Sequence, residues 1–374
     1  MATFVVAEDE FWQPGLDFAA AMRHRGHRVV RLVAQSQAQV ETVRGLRRWA
    51  RLADRTVAHG VTDAGVPSQK GLQALDAERP VDWQATESVL NWLSVNGYEQ
   101  RLSFQRSAPL PPHEVQDKRA LTAYLESVGF DVPQTWNRIE EVPVDEPGPF
   151  MFKLPDSGGG VGIHRCESLA ELQQRVVQYA PMPYIVQRFY DGQPTVAAGV
   201  ARGGRIVSIM TYTSTLNPKK PFMMAYGLTV TDDSRVDEYA REVVAALQIT
   251  GPFALDTSRD ASGRILALDL NLRIWGSWTA CQAAGLDVIG SYEHAMGLGP
   301  APQDFVARVG LRTAILRRPP LHVDSSAQRV SWLSSEAAEI RRRADWLGWP
   351  WARASLWDSA AWAAKGSSLG DYAE

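Results

Sequence analysis

The chain has 374 residues, of which 45% are hydrophobic and 22% charged, as expected for a globular protein of two or three domains. The formal net charge of −3 and the pI near 6.2 give no electrostatic reason to expect nucleic acid or an anionic membrane as a partner. Two cysteines cannot form a disulfide framework, and neither a secretory signal nor a bilayer-spanning apolar stretch is evident, so we expect a cytoplasmic protein.

Residues 1–108 are predicted to form an N-terminal α/β domain. The apolar runs at 3–7 and 29–33 flank a helical pattern at 17–27, which is typical of a βαβ unit in a parallel sheet. The loop after the first run lacks Gly-x-Gly-x-x-Gly, which argues against dinucleotide binding. Further along, the pattern predicts an arginine-rich helix at 40–58, a strand at 88–92 and a proline-rich linker at 107–112.

After the linker, an acidic turn at Asp117 opens an amphipathic helix that stops at Gly129. Lys118 is the second residue of this turn, where a solvated surface lysine is one interpretation and a ligand-binding lysine is the other.

A glycine-rich loop follows a short apolar strand. Lys153 lies near the end of the strand PFMFKL, and DSGGGVGI then places four glycines in five positions at 158–162. Glycines leave backbone N–H groups free to surround an anion. In a Walker loop the lysine follows the glycines and a helix begins at once, whereas here the lysine comes first and a strand is expected next. The loop is therefore not a P-loop, although a ligand-free hairpin tip remains an alternative.

Residues 251–278 predict two strands joined by a polar turn. Asp256 lies on the first strand, and Asp269, Asn271 and Arg273 follow at every second position from the second strand onward. Alternate side chains of a strand share one face, so a carboxylate, an amide and a guanidinium are expected to point the same way. Oxygen ligands beside a cation suit a hard metal that carries phosphates. The alternative is an exposed hairpin whose polar face meets water.

The order and spacing of these motifs resemble those of the ATP-grasp superfamily, which includes biotin carboxylase, D-alanine–D-alanine ligase and many carboxylate–amine ligases. The segment Asp-Leu-Asn-Leu-Arg followed by Trp-Gly-Ser is similar to its acidic-x-Asn-x-Arg motif. The resemblance covers roughly residues 110–300. It implies a multi-domain α/β fold with the N-terminal domain at 1–108, a small ATP-grasp lobe with the glycine-rich loop at 109–183, a large lobe with the metal site at 184–300 and a tryptophan-rich, helical C-terminal extension at 301–374.

The resemblance implies ATP and Mg²⁺ (or Mn²⁺) as cofactors. The residues expected to bind the nucleotide phosphates are Lys118, Lys153, Gly158, Gly159 and Gly160, and those expected to hold the metal are Asp256, Asp269 and Asn271. Arg273 and Lys153 are the catalytic residues that it implies, with Arg273 steadying an acyl phosphate. Gln187, Arg188 and Phe189 would line the adenine pocket, and Gln193 would contact the ribose in place of a glutamate that relatives carry near Pro194.

The activity implied is an ATP-dependent carboxylate–amine ligase that forms an amide through an acyl phosphate on small amino-acid-like substrates. A peptide-modifying ligase, a kinase-like enzyme and a catalytically altered ATP-binding protein are the alternatives. The expected partners are a small carboxylate and a small amine, without nucleic acid or membrane. The extension holds six of the thirteen tryptophans, which need cover from the other domains or from a second subunit in a possible homodimer.

Overall fold

The fold is taken from a computed structural model that describes residues 1–9, 12–34, 52–98, 109–155, 160, 162–215, 222, 225, 227–302, 309–314, 338–348, 351–353 and 355. Within these ranges no helix has both the length and the apolar character that crossing a bilayer requires.

The N-terminal domain is a parallel sheet flanked by helices. Its elements are β1 (Thr3–Glu8), α1 (Gln13–His24), β2 (Arg28–Val33), β3 (Arg55–Ala58), α2 (Gln69–Glu78), β4 (Asp82–Ala85) and α3 (Glu87–Val95), and the strand order is β3-β2-β1-β4. All three strand pairs are parallel, so the predicted βαβ unit is confirmed.

Two other predictions in this domain differ from the structure. The predicted strand at 88–92 is wrong, because these residues lie in α3 and bury Val89, Leu90 and Leu93 at helical spacing. The helix predicted at 40–58 is wrong at its end, where 55–58 form β3, and its residues 40–51 lie outside the described part of the chain.

The next unit is a small antiparallel sheet with helices beside it. It contains α4 (Pro112–Gln116), α5 (Lys118–Ser127), β5 (Thr135–Trp136), a 3₁₀ turn (Ile139–Glu141), β6 (Phe150–Lys153), β7 (Ile163–Cys166), α6 (Leu169–Tyr179) and β8 (Ile185–Arg188), with strand order β5-β8-β6-β7. Phe150, Phe152 and Val186 pack with Leu172 of α6 on one face. The domain boundary predicted between 183 and 184 precedes β8, which pairs with β5 and β6, so the sheet continues past that boundary.

A six-stranded antiparallel sheet forms the centre of the large unit. Its elements are β9 (Thr195–Arg202), β10 (Arg205–Thr215), β11 (Gly227–Thr231), α7 (Ser234–Ala246), β12 (Gly251–Arg259), β13 (Ile265–Asn271), α8 (Trp278–Ala283), α9 (Val288–Ala295) and β14 (Arg312–Ala314), in the order β13-β12-β9-β10-β11-β14. One face packs against α1, α8 and α9 in one core, and the other packs against α5 and α7 in a second core.

The helical segment at 338–347 and the residues at 351–353 pack against α1 and α8. Trp351 is fully buried and its indole N–H donates to Asp17 of α1. Arg343 is also buried and donates to Thr279 Oγ1 of α8 at 2.8 Å. Trp346 packs edge-on against Trp278 with 5.6 Å between ring centroids. Cover by the other domains is therefore confirmed for Trp346 and Trp351, whereas Trp332, Trp349, Trp357 and Trp362 lie outside the described residues.

The buried contact between Trp351 and Asp17 predicts a measurable stability loss. Trp351→Phe keeps an aromatic ring but removes the N–H that the buried Asp17 carboxylate accepts. We expect the free energy of unfolding to fall by about 1–3 kcal/mol, because a buried charged acceptor loses a donor. Urea unfolding measures this loss. Trp346→Phe is the matched control, since that ring is only partly buried; an equal loss in both variants would contradict the role given to the hydrogen bond.

Candidate active site

Two carboxylates lie directly opposite each other on the central sheet. In the β12–β13 pair, Asp256 is the cross-strand partner of Asp269, and Asn271 is the partner of Ala254. Ala254 belongs to the core on one face, and the intervening Leu270 belongs to the core on the other face. The side chains of Asp256, Asp269 and Asn271 therefore share one face, as the alternation in the sequence predicts.

A β-bulge lies at this carboxylate pair. Asp256 pairs with Asp269, but the next residue, Thr257, pairs with Ala267, so Leu268 has no cross-strand partner. A bulge bends the strand and changes the direction of nearby side chains, and it is common beside active sites.

Two buried lysines face this carboxylate pair from the small sheet and its helices. Lys118 Nζ lies 3.5 Å from Asp269 Oδ2, and Lys118 is 3% exposed. Lys153, 6% exposed at the end of β6, interacts electrostatically with both aspartates and with Lys118. Lys118 also donates twice to the carbonyl of Pro155, from its backbone N–H at 3.1 Å and from Nζ at 3.4 Å. Two hydrogen bonds therefore connect the start of α5 to Pro155, which follows β6.

Burial shifts the pKa of two members of this cluster in opposite directions. Burial, with a further contribution from the charge of Asp269, raises the pKa of Asp256 to about 7, although the two lysines act in the opposite direction. Burial lowers the pKa of Lys153 to about 8, while the two aspartates oppose that change. In both groups desolvation outweighs the attraction between opposite charges, a pattern that is common at functional sites.

The face of the small sheet that carries Lys153 is buried but belongs to no apolar core. Met151, Lys153, Ile185 and Gln187 alternate with the core residues of β6 and β8, and they form the cross-strand pairs Met151–Gln187 and Lys153–Ile185. Gln187 Nε2 donates to Thr135 Oγ1 at 3.0 Å. Its Oε1 is buried and accepts no hydrogen bond from the described residues. This face therefore offers apolar surface, one unused acceptor and one ammonium group.

The glycine-rich loop is held at both ends by a hairpin. Lys153 of β6 pairs with Ile163 of β7, and Leu154 N–H donates to Gly162 O at 3.2 Å. The strand predicted after the loop is thus present. Gly160 has φ of +83° and Gly162 has φ of +68°, values that favour glycine. Gly158 and Gly159 lie outside the described residues.

Arg273 contacts the N-terminal domain. Its Nη2 donates to the Glu87 carboxylate at the start of α3, and its guanidinium lies 5.6 Å from the centre of the Trp12 ring. Arg273 Nε is buried and has no acceptor in the described residues. Strand β13 ends at Asn271, so the alternation that aligns Asp269 with Asn271 does not extend to Arg273. Glu87 could not be found from the sequence, because it is 186 positions away and belongs to no motif.

The remaining predicted nucleotide contacts are Arg188, Phe189 and Gln193, and two of them have partners within the small sheet and its loops. Arg188 pairs with Glu146 at 3.3 Å, Phe189 lies 4.3 Å below the Arg165 guanidinium, and Gln193 is exposed. The backbone N–H groups of Arg188 and Phe189 already donate to carbonyl groups of neighbouring segments. Of the predicted adenine and ribose contacts, Gln187 lies on the Lys153 face, and Phe189 lies against Arg165, the cross-strand partner of Met151 on that face.

The carboxylate pair fits a divalent cation. Within the described part of the chain, no group of three or more His, Cys, Asp and Glu side chains could hold a metal, so a site here would use two carboxylates and the Asn271 amide. Burial is the main cause of the raised pKa of Asp256 and the charge of Asp269 adds to it, so a cation between the two carboxylates would favour the charged form of both. Hard oxygen donors and incomplete protein ligation suit Mg²⁺ bound together with phosphates.

The raised pKa of Asp256 predicts a pH-dependent cost to the metal-free fold. The folded carboxyl binds its proton more tightly than the unfolded one, so its contribution to stability is full below about pH 4 and is lost as pH rises to about 7. We expect the stability of the parent relative to Asp256→Asn to fall over this range, by at most about 1.4 kcal/mol per pH unit. Urea unfolding of both proteins in chelator at several pH values measures this difference, and a constant difference would contradict the assignment.

No protein-family model matches the chain, and no curated protein matches it. Solved structures do match its fold. N5-carboxyaminoimidazole synthetase from Staphylococcus aureus, complexed with ADP, is similar over 82% of this chain and 80% of its own, with 15% identity and a TM-score of 0.64. L-amino acid ligase from Bacillus licheniformis is similar over 79% of this chain and 74% of its own, with 15% identity and a TM-score of 0.59.

A third structure is the biotin carboxylase domain of Hydrogenobacter thermophilus 2-oxoglutarate carboxylase, in complex with MgADP, ADP and bicarbonate. It is similar over 82% of this chain and 73% of its own, with 12% identity and a TM-score of 0.58. Each of these likenesses spans about four fifths of the chain. The chain therefore has the multi-domain ATP-grasp fold that its motifs predicted.

Proposed function

We propose that the protein is an ATP-dependent ligase that joins a small carboxylate to a small amine through an acyl phosphate. The observation that carries this proposal is the cluster in which the buried Lys118 and Lys153 face the partly exposed Asp256 and Asp269. Phosphoryl transfer needs positioned cations and anions more than it needs covalent help. A metal–triphosphate complex supplies charges of both signs, and this cluster is built to accept them.

Each side of the cluster has a separate task in this proposal. Lys118 and Lys153 bind the phosphates of ATP, and the backbone at Gly158–Gly160 covers them. Asp256, Asp269 and Asn271 hold Mg²⁺, which when bound neutralises phosphate charge. Gln187 Oε1 is buried and has no partner among the described residues, and it accepts a hydrogen bond from the exocyclic amine of adenine. Among the described residues, Gln187 Oε1 is the one buried acceptor on the Lys153 face that has no hydrogen-bond partner.

The proposed reaction has two steps. A carboxylate oxygen attacks the γ-phosphorus of ATP, the bond from that phosphorus to the β,γ-bridging oxygen breaks, and ADP leaves. The amine then attacks the acyl carbon, loses a proton, and the carbon–oxygen bond to phosphate breaks. Arg273 has an unused buried Nε–H with which to steady the oxyanion. Lys118 and Lys153 are buried, which limits the access of water to the acyl phosphate.

The solved structures of similar fold support this class of reaction. Their descriptions name a synthetase complexed with ADP, an L-amino acid ligase and a biotin carboxylase domain bound to MgADP and bicarbonate. We propose small amino-acid-like substrates, a cytoplasmic setting and a possible homodimer on the same basis. A screen of ADP and phosphate release over pooled acids and amines tests the function. A ligase releases free phosphate only when both substrates are present, whereas a kinase leaves the phosphate on its product.

The metal assignment predicts the effect of Asp269→Asn. This change keeps the size of the side chain and removes one charge that would bind Mg²⁺, so we expect ADP release to fall by about a hundredfold or more, a loss near 3 kcal/mol of transition-state stabilisation. The change also removes the ion-pair partner of the buried Lys118, so the melting temperature is measured to show that the variant remains folded under the assay conditions. Asp237→Asn, on the surface of α7, is the control and should keep parent activity. Parent-like turnover by Asp269→Asn would reject the metal assignment.

The phosphate assignment predicts the effect of Lys153→Met. The variant keeps the apolar stem of the lysine and removes its ammonium group, so we expect the Kd of a non-hydrolysable ATP analogue to rise about 10- to 100-fold, equal to about 1.4–2.8 kcal/mol. Titration calorimetry in Mg²⁺ measures this change. Lys70→Met removes an exposed lysine of α2 as the control. An unchanged Kd for Lys153→Met would remove this residue from the site.

A further inference from the structure

The segment that follows the metal-bearing strand is held by the N-terminal domain. Within residues 273–279, Ile274 N–H donates to Gln84 Oε1 of β4 at 2.8 Å, and Arg273 bonds to Glu87. Trp278 Nε1 donates to Pro14 O at 3.2 Å. Three hydrogen bonds thus connect this segment to elements of the parallel sheet domain. The bond from Gln84 lies one residue from Arg273, so it fixes the backbone from which that side chain extends.

The orientation of Gln84 is determined by a buried carboxylate. Gln84 Nε2 lies 3.3 Å from Asp82 Oδ2 and 3.4 Å from the Tyr292 hydroxyl, which itself donates to Asp82. An ionised carboxylate only accepts hydrogen bonds, so the amide nitrogen of Gln84 must face Asp82. The amide oxygen is then left for Ile274. Burial raises the pKa of the Tyr292 hydroxyl well above its ordinary value, which keeps it a donor to Asp82.

This arrangement is entirely enclosed. Asp82 and Tyr292 are fully buried and Gln84 is 1% exposed. A buried polar network is costly unless its members are satisfied, and apolar packing would stabilise a simple domain contact at lower cost. Its position beside Arg273 suggests what the network does.

We propose that Gln84 is a positioning residue for Arg273, and that Asp82 and Tyr292 hold Gln84 in the orientation this requires. This inference rests on the proposed ligase function. Gln84 is 1% exposed, so its proposed role is an indirect one. It acts through the Ile274 backbone, so that the guanidinium lies between Glu87 and Trp12 with its Nε–H free for a ligand. The N-terminal domain thereby sets the geometry of a catalytic group on the large unit.

The test compares two identical substitutions. Gln84→Met removes the acceptor of Ile274 N–H, and Gln282→Met removes the acceptor of another backbone N–H, that of Ile289 at 3.2 Å, on the far end of α8. We expect Gln84→Met to lower kcat at least about tenfold while the Kd of the ATP analogue stays within about twofold of the parent. Gln282→Met should keep kcat within about twofold. Melting temperatures of both variants show whether a stability loss alone explains the difference.

A double-mutant cycle with Arg273→Met completes the test. If Gln84 acts through Arg273, then Gln84→Met should cost little further activity once Arg273 is gone. The inference would be overturned if the kcat losses of Gln84→Met and Arg273→Met multiplied in the double variant. It would also be overturned by equal kcat losses in Gln84→Met and Gln282→Met, or by a parent-like kcat in Gln84→Met. Each of these results would leave the ligase function standing. Absence of ADP release from the parent over every acid and amine tried would overturn both together.

Discussion

Neutralisation of charge between two separate sheets is the constraint on which this structure depends. Lys118 and Lys153 come from the small sheet and its helix, and Asp256 and Asp269 come from the central sheet. A lone charge of either sign buried at this position would cost several kcal/mol, so neither set is stable there without the other. Electrostatic attraction, as well as apolar packing, therefore determines how the small sheet and the central sheet pack against each other.

The same cluster is poorly suited to stability alone. Two carboxylates are placed opposite each other at a β-bulge, and desolvation outweighs the attraction of the lysines in the pKa of both Asp256 and Lys153. Apolar side chains would pack there at lower cost. Sites at which charged groups replace apolar packing at a cost in stability are typically functional. Among the described residues, the Gln187 acceptor and the Arg273 Nε–H donor are also buried without a hydrogen-bond partner.

The sequence predicted the parts of the site that depend on local periodicity. Asp269 and Asn271 share a face because strands alternate, and Lys153 precedes a loop bounded by two strands, as the order of lysine and glycines indicated. Contacts between domains were beyond such reasoning. Gln84 and Ile274 are 190 positions apart, and no spacing rule links them. The strand predicted at 88–92 failed because a short apolar run suits a helix equally well.

The docking of residues 338–355 has a consequence for how the chain acquires its fold during translation. Trp351 covers α1 and bonds to Asp17, and Arg343 bonds to α8, so the last segment described completes surfaces made from the first. While the ribosome is still making the middle of the protein, those surfaces stay bare. The part of α1 that Trp351 covers therefore lacks this contact until a segment more than three hundred residues later has been synthesised.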